Sequence, residues 1–195
     1  MVNYRHTFGL SLLLMLASCE RSPLYTTPLT SGGDPVSNDE DGGIPPEVCS
    51  TCEDSCEAYL PIDSALHTEG DVVYLDTPPV GGPHHPCWAD YRVYAETTPL
   101  PPRRWVHNLE HGAVVFLYNC PEGCEAEVEQ LSSMVANHPR TLLTPYTDMS
   151  PGFAAVAWGV RLVSSCLDLR AFEMFYQLHF DHGRESVPNG APSGC

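Results

Sequence analysis

The chain contains no lysine, and this absence narrows the classes of partner that it can bind. Its nine positively charged side chains are all arginines, against 25 acidic side chains, and the formal net charge is −16. Only Arg103 and Arg104 are adjacent. Nucleic-acid binding depends on clustered positive charge that neutralises phosphates. We therefore predict no nucleic-acid partner.

Long apolar runs are also scarce, and the most pronounced one lies at the N-terminus. It extends from Phe8 to Ala17, after a polar start that includes Arg5 and His6. This run is too short to span a bilayer as a stable helix, but it suits the hydrophobic part of a secretion signal. We therefore predict an exported protein that does not span the membrane.

The apolar run ends in Leu-Ala-Ser-Cys at positions 16–19. Small residues before a cysteine resemble the lipobox of bacterial lipoproteins, which implies a signal peptide over residues 1–18 and lipid on Cys19. The lipid would anchor the mature protein to a membrane of the bacterial envelope, on its extracytoplasmic side. An ordinary secretion signal with a cysteine near its cleavage site is the alternative.

A polar segment follows and is predicted to form a flexible acidic tether over residues 19–47. It is rich in Pro, Gly, Ser, Thr and Asp, and it shows no apolar period that burial could exploit. Residues 20–63 hold ten acidic residues and one arginine, a net charge of −9 out of −16. The acidity therefore belongs mainly to a solvated leader, and it does not indicate a basic partner.

The cysteine count favours disulfides. Setting aside Cys19 leaves eight: Cys49, Cys52, Cys56, Cys87, Cys120, Cys124, Cys166 and Cys195. An even number in an exported chain is typical of a disulfide-stabilised domain, although the sequence does not determine the pairing. The alternative is a metal knot formed by the closely spaced Cys49, Cys52 and Cys56.

Apolar patterns predict an α+β domain over residues 70–187, between a Cys-rich lead-in (48–69) and a C-terminal tail (188–195). Strands are expected over 70–79, 113–119, 141–146 and 153–165, and amphipathic helices over 121–139 and 168–183. The strands at 113–119 and 141–146 flank a helix, so they should run parallel. We predict a two-layer fold, with a mixed sheet and two helices packed on one of its faces.

Several segments resemble one bacterial family. They are TPPVGGPHHPCW (77–88), VHNLEHGAVVFLY (106–118), PYTDM (145–149) and AVAWG (155–159). Together they resemble the family catalogued as domain of unknown function 3105, from about Gly70 to Val187, and the core His-Asn-Leu-Glu-His-Gly at 107–112 is the most specific part. The resemblance implies a secreted or membrane-anchored bacterial protein and supplies no activity.

The same core predicts a transition-metal site. His107 and His111 share a face if the segment makes a helical turn, and Glu110 adds a carboxylate. His84 lies in a stiff Pro-rich loop, and Met149 follows Pro145-Tyr146. A thioether ligand would favour copper, whereas imidazoles and a carboxylate without it would favour zinc. The predicted ligands are His84, His107, Glu110, His111 and Met149.

Two other functions compete with metal binding. The order His-x-x-Glu-His also occurs in inverted zinc proteases, but that motif needs a long helix, and here Gly112 and a strand-like run follow immediately. Alternatively, the histidines and Glu110 could bond to one another in a non-catalytic envelope interaction module of unidentified protein partners. No serine or cysteine lies in a nucleophile context, so the sequence favours a binding protein over an enzyme.

Overall fold

The computed structural model describes residues 47–52, 55–185 and 187. The predicted signal peptide, Cys19, most of the tether and the C-terminal tail lie outside the described residues. Within those described ranges, none of the helices has the length and apolar character needed to cross a bilayer.

The domain is built on a mixed five-stranded sheet in the order β1-β5-β4-β2-β3. In that order β2 and β3 are parallel neighbours, and the other neighbouring pairs are antiparallel. In chain order the elements are β1 (Ala58–Tyr59), α1 (Pro102–Glu110), β2 (Val114–Asn119), α2 (Glu125–Asn137), β3 (Thr141–Pro145), β4 (Gly152–Ala157), β5 (Val160–Ser164) and α3 (Leu169–His179). The predicted α+β class and mixed sheet are confirmed.

The β2–α2–β3 unit is the part of the fold that the sequence predicts best. Its two strands pair in parallel, from Val114 opposite Thr141 to Tyr118 opposite Pro145. Because both strands are covered on both faces, their side chains are almost all buried, and those of β2 are almost continuously apolar. The predicted parallel crossover is confirmed.

Helices α2 and α3 pack on one face of the sheet, as predicted. Leu131 of α2 and Phe172 and Phe175 of α3 join Phe116 of β2 in one apolar cluster. The Asp168 side chain caps α3 by accepting hydrogen bonds from the backbone N–H groups of Arg170 and Ala171, both at 3.1 Å. The two helices therefore cover the face of the sheet opposite to the candidate site.

Helix α1 covers the other face and was not predicted. Trp105 and Leu109 of α1 pack on Val115 and Leu117 of β2 in a second apolar cluster. The helix begins at Pro102, where a proline costs no hydrogen bond because the first N–H groups of a helix have no partner within it. With nine residues, α1 would be marginal alone, so its stability comes from burial against the sheet.

Two predicted strands are wrong in detail. Residues 70–79 form no strand, and Val73 and Leu75 in this segment are 86% and 95% exposed. The predicted strand at 153–165 is a hairpin of β4 and β5, which turns at Trp158-Gly159. Gly159 has φ of +77°, the left-handed conformation that such tight turns require.

Disulfides link Cys49 to Cys56, Cys52 to Cys166, and Cys120 to Cys124, and Cys87 is disulfide-bonded too. The metal knot of Cys49, Cys52 and Cys56 is therefore wrong, because all three sulfurs are already bonded. The bridge to Cys166 ties the Cys-rich lead-in to the chain after β5. Disulfides persist in oxidising compartments, so they indicate an extracytoplasmic location.

Candidate metal centre

The candidate site begins where α1 ends. His107 and Glu110 lie in the last turn of α1, and His111 caps its C-terminus. Gly112 then turns the chain toward β2 with φ of +81°, and a Cβ atom there would approach the Asp181 backbone to 2.8 Å. Only glycine accommodates both requirements. The core strand therefore starts next to a group of buried polar side chains.

A loop from the Pro-rich segment brings His84 to these side chains. The Asn108 side chain on α1 clamps this loop: its Oδ1 accepts from the Ala89 N–H, and its Nδ2 donates to the Ala89 carbonyl, both at 2.8 Å. Asn108 is fully buried. The loop and α1 are therefore held in one register.

His67 reaches the same place through the lead-in and was missed by the sequence analysis. Its segment pairs with the loop: the His84 N–H donates to Leu66 O at 2.9 Å, and the Thr68 N–H donates to His84 O at 2.7 Å. No motif surrounds His67 in the sequence, and only this long-range backbone pairing reveals it. The His67 side chain is 46% exposed, whereas those of His84 and Glu110 are buried.

Four side chains converge here. Candidate ligand atoms of His67, His84, His107 and Glu110 all lie within 4.8 Å of one another. Glu110 Oε2 is 3.0 Å from His84 Nε2 and 3.3 Å from His67 Nε2. Ligand bonds of about 2 Å would separate two atoms on one ion by about 3–4 Å. These residues could therefore hold a metal ion after a small contraction.

The buried imidazoles are oriented by backbone carbonyls. His84 Nδ1 donates to Gly82 O at 2.8 Å, and His107 Nδ1 donates to His85 O at 2.7 Å. Because a carbonyl oxygen only accepts, each Nδ1 carries a proton, and in the neutral form of each ring the lone pair lies on Nε2. This arrangement is typical of metal-binding histidines, whose second nitrogen is held by an outer acceptor.

Burial and charge hold the site in a form that can bind a cation. Burial, together with the neighbouring imidazoles, lowers the pKa of His107 to about 4, although the hydrogen bond to the His85 carbonyl opposes this change. Burial raises the pKa of Glu110, but His84, His67 and Arg184 outweigh it and hold that pKa below its usual value. At neutral pH the site therefore presents a neutral His107 imidazole and a carboxylate.

Arg184 supplies positive charge at the outer side of Glu110. Its Nη1 donates to Glu110 Oε1 at 3.1 Å, and the arginine side chain is 56% exposed. The Glu185 N–H donates to the Glu110 carbonyl at 2.9 Å, so the segment after α3 is fastened to the end of α1. The two carboxylate oxygens of Glu110 thus have different neighbours. Oε2 faces His84 and His67, and Oε1 faces the guanidinium of Arg184.

The other two predicted ligands lie differently. His111 Nε2 is 2.9 Å from His107 Nε2, and His111 belongs with Glu110 and Glu185 to a second group of candidate ligand atoms. Met149 is buried among apolar side chains at the far end of β2, where its carbonyl accepts from Asn119 Nδ2 at 2.6 Å. Ligation by any predicted residue stays a prediction, but the structure places Met149 apart from the histidines.

The helix that an inverted zinc-protease motif requires is absent from this part of the chain. Helix α1 ends at Glu110, and His111 already has non-helical backbone angles. The His-x-x-Glu-His order therefore spans a helix end and a turn, and it cannot present its side chains as a long helix does.

Comparison with known proteins places the chain in one family. No curated protein and no solved structure matches the chain. The family described as a protein of unknown function (DUF3105) matches residues 66–193, about two thirds of the chain. This range includes all the residues of the candidate site, and the expected resemblance is confirmed. The chain belongs to the DUF3105 family of proteins of unknown function.

Proposed function

We propose that this protein is a zinc-binding lipoprotein of the bacterial cell envelope. Its ligands would be His67, His84, His107 and Glu110, and lipid on Cys19 would anchor it to a membrane. The observation that carries the proposal is the pair of Nδ1–H bonds to backbone carbonyls, which leaves Nε2 of His84 and His107 as the candidate ligand atoms, close to each other and to a buried carboxylate.

The hydrogen-bond pattern of His84 supports a cation at this position. Its two ring nitrogens both face oxygen acceptors, Gly82 O on one side and Glu110 Oε2 on the other. A neutral imidazole has only one N–H group, so it cannot donate to both. A metal ion bound by Nε2 and Oε2 would satisfy both atoms without a second proton on the buried ring.

The ligand chemistry favours zinc over copper. The four candidate ligands are imidazoles and a carboxylate, which is a common donor set for zinc. The thioether that would have favoured copper belongs to Met149, which lies at the other end of β2. The exposed His67 is the natural place for the ion to enter and leave.

The fold does not depend on this ion for its core. Two apolar clusters cover the faces of the sheet, and disulfides brace the lead-in. We therefore infer that the protein binds or delivers zinc in the envelope, and that zinc is not needed for folding. The disulfides support export, which is a requirement for lipidation of Cys19.

Zinc titration of the full-length protein tests the proposal. The untagged protein, with its disulfides intact, would be stripped of metal and titrated against a competing chromophoric chelator. We expect tight binding in the wild type, and a loss of more than about 100-fold in His107→Ala, beyond the 10–100-fold typical of losing an outer partner. His138→Ala is the matched control, because His138 bonds Glu173 away from the site. A wild type that takes up no zinc would refute the proposal.

A structural role for the cluster is the second candidate. It is favoured by the contacts of Glu110 with His84, His67 and Arg184, which already satisfy the carboxylate. In that case His84→Ala would destabilise the protein equally with and without zinc, by about 1–3 kcal/mol from a buried group left unpaired. Zinc-binding predicts instead that added zinc stabilises the wild type and not the variant.

A further inference from the structure

Within the part of the chain that the structure describes, His111 has a buried nitrogen without a hydrogen-bond partner. The residue is only 5% exposed, and its Nδ1 has no partner among the described residues. The Glu185 backbone interacts electrostatically with the ring, but it makes no hydrogen bond to Nδ1. Buried polar atoms are normally paired, so this atom requires an explanation.

The position of the proton on His111 follows from its neighbours. His107 Nδ1 donates to a carbonyl, so His107 Nε2 is an acceptor, and His111 Nε2 must donate to it across 2.9 Å. A neutral His111 ring therefore carries a bare lone pair on Nδ1.

Two carboxylates lie near this ring, those of Glu110 and Glu185, and they accept hydrogen bonds but do not donate them. Candidate ligand atoms of Glu110, His111 and Glu185 lie within 4.8 Å of one another. An unpaired lone pair beside two carboxylates can be satisfied by a cation. We propose that His111, Glu185 and Glu110 form a second position for a divalent transition-metal ion, adjoining the first, so that the Glu110 carboxylate bridges the two ions.

The Glu110 carboxylate has the geometry of a bridge. Oε2 faces the histidines of the first site, and Oε1 faces Arg184 Nη1 at 3.1 Å. The guanidinium shows that a positive group is accommodated at the outer oxygen. Since the Arg184 side chain is 56% exposed, it can move into solvent when an ion takes its place.

The two positions should fill in order. The first ion takes the Nε2 lone pair of His107, which removes the acceptor that now holds the His111 N–H. The His111 ring is then free to turn its bare Nδ1 toward the carboxylates. This second site rests on the proposed function, because it shares Glu110 with the first and follows its occupation.

Native mass spectrometry with zinc ions distinguishes the outcomes by counting. Full-length wild type, Glu185→Gln, His111→Gln and the control Glu129→Gln would be stripped of metal and titrated with zinc acetate. Glu129 is an exposed carboxylate on α2, on the other face of the sheet. We expect two tightly bound zinc ions in the wild type and in the control. We expect only one in Glu185→Gln and in His111→Gln, where binding of a second ion should be at least tenfold weaker than in the wild type.

Any other number of bound zinc ions would refute a specific part of the proposal. One ion in the wild type would refute the second position and leave the first intact. Two ions in Glu185→Gln, bound as tightly as in the wild type, would refute the assigned ligands. No ion in the wild type would refute both the proposed function and this extension of it.

Discussion

Acid should destabilise the metal-free protein, and His107 should account for a large part of the loss. The pKa of this buried ring is about 4, whereas the usual value is 6.5. Between these two pH values the unfolded chain binds a proton at His107 and the native protein does not, so the free energy of unfolding rises with pH. The contribution is fully present above pH 6.5 and is lost as the pH falls toward 4.

The size of the effect follows from the shift in pKa. One pKa unit corresponds to about 1.4 kcal/mol, so a shift of this extent amounts to about 3 kcal/mol as an upper limit. Glu110 acts in the same direction at lower pH, because its lowered pKa means that the native state resists protonation. The expected loss is therefore a large fraction of a typical domain stability of about 5–15 kcal/mol.

Urea denaturation at several pH values between 7 and 4 measures this loss. The assay would use oxidised protein in the presence of a chelator, with circular dichroism as the signal, and would compare wild type with His107→Gln. Glutamine keeps a donor for the His85 carbonyl but does not titrate. We expect the variant to lose about 1–3 kcal/mol less than wild type over this range. Parallel curves for the two proteins would show that His107 is not the acid-sensitive group, and His138→Gln controls for the loss of any histidine.

Three further predictions concern the lipid anchor, the disulfides and Gly112. Cys19→Ala should release the protein from membranes or block its processing, and an anchored variant of unchanged mass would show that the lipobox interpretation is wrong. Reduction of the disulfides should lower the free energy of unfolding, by typically about 2–4 kcal/mol for each bridge, and eight alkylatable thiols in the native protein would contradict the pairing. Gly112→Ala should cost more than about 1 kcal/mol and weaken zinc binding, because alanine disfavours φ of +81° and its Cβ would press on the Asp181 backbone. Unchanged melting and zinc affinity in this variant would contradict that account.

Local patterns predicted some parts of the structure better than others, and the reason is physical. The β2–α2–β3 unit is continuous in sequence, and its strands are buried on both faces, so its apolar runs are unambiguous. Helix α1 escaped prediction because two prolines precede it and because its stability comes from the sheet below. The exposed segment at 70–79 has strand-like composition but no partner strand.

In the candidate site, too, local sequence patterns predict some residues and miss others. His107, Glu110 and His111 lie within five residues, so their proximity could be predicted from the helical period. His84 could be proposed from its stiff loop, but its contact with Glu110 depends on the clamp between Asn108 and the backbone of that loop. His67 depends on backbone pairing between distant segments, which no local pattern reveals. Met149 lies in a turn at the other end of β2, where its carbonyl accepts from Asn119, and its ligation of a metal stays a prediction.

The central claim is that imidazoles and a carboxylate bind zinc without a sulfur ligand. A zinc K-edge X-ray absorption spectrum of the full-length protein with one equivalent of zinc tests it most directly. We expect nitrogen and oxygen ligands at about 2.0–2.2 Å, with the multiple scattering of about three imidazoles, and no sulfur at about 2.3 Å. A sulfur shell, or a spectrum of hydrated zinc without imidazole scattering, would contradict the account.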